Sequence, residues 1–258
     1  MVPRLSTSSA IDSLIPAVAP GSKLLRDLMR LREHFGDTPI DKIGQLEIDM
    51  ASIAIFPCHS ASTRGTHVHV PMRKVLHHAG CHVLIRGPKR PKPNVAVLSQ
   101  QTADFLIECA DDPEFRVLLV FQFYTGVRIS ETMKLTFDRI DFENERVLIR
   151  LARRHIDQWR PLHPRVVEAL KTLPRQEGRV FRWMRDTMGP DKPLKRLRAR
   201  SGIHVTYKSM RYSFAYWLRG NETNLRDIMD ACGWGAPHSA LRILGDDGKL
   251  AGDAIRRL

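Results

Sequence analysis

Two short stretches of this chain place cations where a phosphate could be held. In Thr125-Gly-Val-Arg-Ile-Ser-Glu131, Arg128 follows a nearly all-apolar run, residues 117–124, and the glycine Gly126. A buried helix, a glycine stop and an arginine opening the next short helix would present a guanidinium at a fixed point. A planar fork there can hold two oxygens of a phosphate at once. The alternative use of Arg128 is an ion pair with Glu131 that only stabilises the fold. In Tyr207-Lys-Ser-Met-Arg-Tyr-Ser-Phe-Ala215, Lys208 and Arg211 lie three apart and share one helical face with Ala215. Met210, Phe214, Trp217 and Leu218 fall on the other face and read as core. Either a rigid helix offers two cations to an anion, or this is a solvated basic face.

The elements that must position these residues follow from periodicity and punctuation. Leu24, Leu25, Leu28 and Leu31 give an apolar stripe over residues 23–35, closed by Gly36. Residues 41–56 read as one or two short helices, and residues 62–79 as another that stops at Gly80. Residues 86–93, Arg-Gly-Pro-Lys-Arg-Pro-Lys-Pro, cannot continue a helix and read as a basic linker. Beyond it, Ser99 caps a helix through Cys109, and Asp112-Pro113 opens the apolar helix that ends at Gly126. Residues 135–142 and 146–151 read as strands joined at Glu143-Asn144, and a further strand ends at Pro161-Leu-His-Pro164, where a helix over residues 165–173 begins. The rest is helical apart from a short strand near Val180. The expected architecture is mainly α with a small antiparallel sheet: a flexible segment (1–20), an all-helical unit (21–85), a basic Pro-rich linker (86–97) and an α+β unit (98–258).

Composition sets the class of partner. Lys and Arg number 41 against 28 Asp and Glu, for a net charge of +13 and a pI near 10.1. Such a surplus points to a polyanion, because cations that neutralise phosphates release condensed counterions. Double-stranded DNA is the leading candidate, with RNA a lesser one. No apolar run approaches the ~20 residues that span a bilayer, so no membrane partner is expected. Residues 1–20 lack the compact apolar stretch of a signal peptide. Cys58, Cys81, Cys109 and Cys232 lie far apart and read as reduced thiols of a cytoplasmic protein. Histidines gather between His59 and His82 without cysteine or acidic ligands at zinc spacing, so no metal is expected there and the histidines read as a solvated or DNA-facing helix. No cofactor is expected elsewhere.

Three stretches together resemble the tyrosine site-specific recombinases of the phage-integrase family. Thr125–Glu131, with Leu135 and Asp141 after it, is similar to the family's first arginine box. Tyr207–Ala215 is similar to its HxLRHTFA pattern. The run from Leu225 to Ile243, Leu-Arg-Asp-Ile-Met-Asp-Ala-Cys-Gly-Trp-Gly-Ala-Pro-His-Ser-Ala-Leu-Arg-Ile, resembles the helix that ends in Gly-His or Gly-Trp before the helix carrying the tyrosine. Leu-Arg-Glu-His-Phe-Gly-Asp-Thr-Pro39, followed by Ile40-Asp41, resembles the family's core-binding domain. The resemblance implies a helical core-binding domain ahead of an α+β catalytic domain. It implies that Arg128 and Arg211 clamp a phosphate, that Lys208 stands at the family's His/Lys position and Trp234 at its His/Trp position. The linker cations Arg86, Lys89, Arg90 and Lys92 read either as a solubilising spacer or as a strand lying along phosphates, and with Arg154, Lys195 and Arg196 they are the expected DNA contacts.

Two departures qualify the activity. The nucleophile's position falls on Ile243, with Pro237, Leu241 and Arg242 fixing the register; the tyrosines are Tyr124, Tyr207, Tyr212 and Tyr216, all upstream. The family's hairpin lysine, the general acid toward the leaving oxygen, has no counterpart, since no lysine occurs between Leu135 and Leu170; Arg153 matches best, with Arg154 next. A guanidinium binds phosphate but donates protons poorly, and isoleucine cannot form a phosphotyrosyl bond. The expectation is a DNA-binding protein of recombination or integration, a product of a mobile element. It would not cleave DNA itself and would act as accessory or regulator beside other recombinase subunits. The alternatives are an active recombinase with a non-standard or trans-donated nucleophile, and a DNA-binding regulator unrelated to recombination.

Overall fold

The computed structural model describes residues 5–89, 96–152, 154–181 and 191–245. The chain divides into two compact units, Met1–Lys92 and Pro93–Leu258. No helix among the described residues is long and apolar enough to cross a membrane.

The first unit is built on helices α1 (Thr7–Leu14), α2 (Lys23–Phe35), α3 (Gln45–Ile55), α4 (Ala61–Arg64) and α5 (Val70–His78). The expectation of a flexible segment over residues 1–20 is corrected from Leu5 onward. Ser6 caps α1 by accepting from the Ser9 amide, and Ala10 and Ile11 are fully buried. The Ser-rich run, read from composition as loose, is a cap and the polar side of a short amphipathic helix. Leu28 and Leu31 of the expected stripe sit at the centre of the same core with Ile48, Val68, Met72 and Val75.

Helices α4 and α5 join through a wider turn, Gly65–His69, so that residues 61–78 run on nearly as the sequence suggests. His67 and His69, two apart, project to different sides. His67 Nδ1 lies 2.7 Å from Asp27 of α2, and His69 Nε2 lies 2.7 Å from Asp49 of α3. The solvated or DNA-facing reading therefore fails for these two: His69 is fully buried, and its hydrogen bond holds the Asp49 carboxyl below the usual range. Part of the expected linker is also tied down. Gln45 accepts from the Arg86 amide (2.8 Å) and donates to the Arg86 carbonyl (3.0 Å), while Ile85 is buried.

In the second unit, Ser99 and Asp112 cap α6 (Gln100–Glu108) and α7 (Pro113–Thr125) as expected. Helix α7 is buried nearly all round, which is why its sequence shows no polar face. Gly126 ends it with φ +58°, a left-handed conformation that a side chain strains. A Cβ there would also overlap the Phe214 ring. Gly126→Ala should lower stability by about 1–3 kcal/mol in urea unfolding, whereas Gly87→Ala, which meets nothing within 4 Å, should be near neutral.

After α8 (Ile129–Thr132) the sheet is smaller than the sequence suggests. Residues 135–142 contribute only β1 (Ile140–Asp141), because Phe137–Arg139 wind into a single 3-10 turn. The residues before it pair elsewhere: the Val180 amide donates to the Leu135 carbonyl, and Thr136 bridges Arg179. That bridge is the strand signal near Val180. Strands β2 (Arg146–Leu151) and β3 (Ile156–Pro161) form the hairpin, antiparallel in the order β1-β2-β3. Then come α9 (Pro164–Lys171), α10 (Asp191–Ser201), α11 (Tyr207–Gly220), α12 (Leu225–Cys232) and α13 (Pro237–Leu244). Two buried clusters result, one around α7 and the hairpin, the other among α11, α12 and α13.

Candidate phosphate site

The site lies where the ends of four elements meet at the turn after α12. Arg211, 6% exposed, donates from Nη1 to the Gly126 carbonyl (2.7 Å) and from Nη2 to the Cys232 carbonyl. It thereby bridges the stop of α7 and the C-terminus of α12. Its guanidinium also lies 5.7 Å from the ring centroid of buried Trp234. Arg128 starts α8, donating from Nη1 to Glu131 (3.0 Å) and from Nη2 to the Gly233 carbonyl (3.4 Å). The ion-pair reading of Arg128 is met, since it pairs with Glu131, and its second nitrogen faces the same turn that Arg211 faces.

Glu131 ties this corner to the hairpin. Its side chain is 1% exposed and also accepts from the Ala152 amide (3.2 Å), at the start of the β2–β3 turn. Arg153 lies outside the described residues, as do Arg90 and Lys92 of the linker. Arg154, Lys195 and Arg196 are exposed, and Arg86 and Lys89 are exposed in the first unit. Lys208, one turn before Arg211 on α11, is exposed with Nζ 5.4 Å from the centre of the Tyr212 ring. Lys208 and Arg211 share a helix face, but only Arg211 is buried.

A third guanidinium, Arg160 of β3, belongs to this corner and was not singled out by sequence. It is 5% exposed and packs against the turn so closely that a Cβ on Gly233 would lie 2.5 Å from its Nη2. The signal was available in the hairpin: β3 pairs with β2 so that Arg160 stands opposite buried Val147, on the face that carries Ile149 and Leu151. A cation at an inward position of an alternating strand is the anomaly to look for.

Electrostatics reflect this crowding. Burial brings Arg211 down to about 10, and the neighbouring Arg128 and Arg160 push the same way, opposed by Cys232 and Glu131. Burial likewise lowers Arg160. Burial pushes the Cys232 thiol up to about 11 against the pull of all three arginines, so it stays protonated at neutral pH and is a poor nucleophile.

Ile243, 6% exposed, packs on the inner side of α13 in the cluster with Cys232, Trp234, Met229 and Tyr212. The Tyr216 hydroxyl donates to the Ile243 carbonyl at 3.0 Å. Tyr124 accepts from Arg165 instead.

Comparison with known proteins agrees with this architecture. Residues 97–243 match the model of the phage integrase family. Tyrosine recombinase XerA of Thermococcus onnurineus is 25% identical over 162 residues, 58% of this chain and 57% of that protein, so the match spans little more than half of the relative's length. Among solved structures, the Tn1549 transposon integrase in complex with transposon right end DNA superposes with a TM-score of 0.75 at 14% identity, over 98% of this chain and all of that one. A lambda integrase dimer bound to a COC′ core site gives 0.75 at 14% identity, over 95% of this chain and 97% of that one. The two structural likenesses show the fold, and the family model, which covers more than half of the sequence and both arginine boxes, shows the lineage: the chain belongs to the phage integrase family.

Proposed function

We propose that this protein binds duplex DNA as a two-unit clasp and does not cut it, acting in recombination or integration as an accessory or regulatory partner of active recombinase subunits in the cytoplasm. In this reading the first unit is the core-binding domain, and Arg128 and Arg211 grip a backbone phosphate beside Trp234 and Lys208. Arg86, Lys89, Arg90, Lys92, Arg154, Lys195 and Arg196 follow the backbone on either side. The observation that carries it is Ile243: the residue that the resemblance aligns with the family's nucleophile is an aliphatic side chain packed into the core, beside a corner rich in guanidinium groups. The groups that grip phosphate persist while the group that attacks it does not, and Cys232, protonated and buried, offers no substitute.

Binding of this kind is dominated by counterion release. With a net charge of +13, affinity for linear duplex should fall by ~10³ or more between roughly 50 and 200 mM salt, as for a protein that neutralises several phosphates. Fluorescence anisotropy across that range measures it, and a flat response would remove DNA as the partner. The same preparation incubated with nicked suicide duplex should give no covalent adduct on a denaturing gel.

A further inference from the structure

We propose that Arg160 is a third phosphate-binding residue of the corner formed by Arg128 and Arg211, its free N–H groups completing the shell around the bound anion. The proposal deepens the phosphate-site reading above and rests on it.

Arg160 is on an inward-facing position of β3, opposite Val147, where the hairpin otherwise buries aliphatic side chains. Its Nη2 reaches Gln158 only at 3.4 Å, and its Nε and Nη1 have no hydrogen-bond partner. Both nitrogens are shut off from solvent. A buried guanidinium left this open is costly, and such groups persist where a ligand completes them. Its neighbours do not neutralise it. Around the turn at Cys232–Trp234 stand Arg128, Arg160 and Arg211 against two carboxylates, Glu131, which Arg128 already holds, and Asp230, which acts on Arg160 only through its charge and pairs with Arg226. The C-terminal carbonyls of α12 take Arg211 and Arg128 but not Arg160. The corner therefore carries an unmatched positive charge, and one of its cations has donors to spare.

The turn itself is shaped around this side chain. Gly233 is left-handed at φ +59°, and a Cβ there would meet Arg160 Nη2 at 2.5 Å and Leu151 Cδ2 at 3.1 Å. The absent Cβ leaves the guanidinium room against the backbone at the point where the other two arginines end. A tetrahedral oxyanion offers several oxygens to such convergent forks, and a guanidinium fork suits it better than an ammonium.

The decisive test is the thermal stability of the full chain in buffer of constant ionic strength, with inorganic phosphate replacing chloride. The parent should gain stability as phosphate rises, by simple linkage. Arg160→Met, which keeps the volume and removes the charge, should melt no lower than the parent without phosphate, because an unpaired buried charge has gone. It should lose about tenfold or more in phosphate affinity, the loss of a charge-assisted hydrogen bond. Arg160→Lys, a second variant in case the first does not fold, should bind phosphate more weakly than the parent while staying folded. A parent that does not respond to phosphate, or variants that respond as the parent does, would overturn the proposal. So would an Arg160→Met that melts lower and keeps its phosphate affinity, since the side chain would then be structural. Duplex binding, measured beside it, reports separately on the DNA reading: a parent stabilised by phosphate through Arg160 but blind to duplex would keep this inference and end that one.

Discussion

Replacing Arg211 by Ala is expected to weaken duplex binding by about 1–3 kcal/mol, the cost of charge-assisted hydrogen bonds to a phosphate. It is also expected to lower stability, because the carbonyls of Gly126 and Cys232 lose the donor that bridges them. Arg211→Lys should not rescue either effect in full: a single ammonium has no rigid fork to span two carbonyls and a ligand. Arg128→Ala carries a different confounding cost, since Glu131, nearly inaccessible to solvent, would be left as a buried carboxylate without its cation. Pairing Arg128→Ala with Glu131→Gln removes that orphan charge, so the double variant reads the binding loss more cleanly than the single one. Anisotropy titrations well below each variant's melting temperature measure the effect. Parent-like binding by the folded Arg211 and Arg128 variants would reduce the corner to a structural joint and leave DNA binding to the surface charge alone.

Much of this corner was legible in the sequence because each box couples a core pattern to a polar exception. The apolar run of α7 and the glycine after it marked where Arg128 begins a helix, the spacing on α11 set Arg211 beside Lys208, and the resemblance to the family's arginine boxes singled out both arginines. Arg160 escaped because its strand signal was weak and an arginine beside a proline reads as an edge residue. Only the register, which sets Arg160 opposite Val147, turns it inward. The N-terminal helix escaped for a similar reason. Its serines look like loop composition until Ser6 is seen to cap Thr7–Leu14 and place Ala10 and Ile11 inside. The strand expected over residues 135–142 failed because apolar content there serves burial of Leu135 and Phe137, not pairing along a ladder. His67 and His69 could not be told from surface histidines by spacing, since their carboxylate partners come from two other helices.

The chemistry supplies the second large effect. Restoring a nucleophile by Ile243→Tyr should give little cleavage by itself, for two physical reasons. The larger side chain must enter a packed cluster at a cost of about 1–3 kcal/mol, and its hydroxyl must find a partner there. Beyond that, on the proposed reading the general acid's position falls to Arg153, and a guanidinium donates protons poorly. Ile243→Tyr combined with Arg153→Lys should exceed either change alone by more than their product, because nucleophile and acid act on one step. Adduct formed on nicked suicide duplex measures all three variants on one scale. Equal adduct from the single and double variants would show that the lysine's absence does not limit the reaction.

On the proposed reading this member of the family grips DNA without breaking it. Relaxation of supercoiled plasmid by the unmodified protein tests that claim most directly, since one transient nick per molecule changes its topology. The predicted result is plasmid retarded on a native gel at low salt, with an unchanged topoisomer distribution once the protein is stripped off. Relaxed topoisomers produced by the parent and abolished by Arg211→Ala would contradict it, and would place the nucleophile on one of the four upstream tyrosines or on a partner subunit.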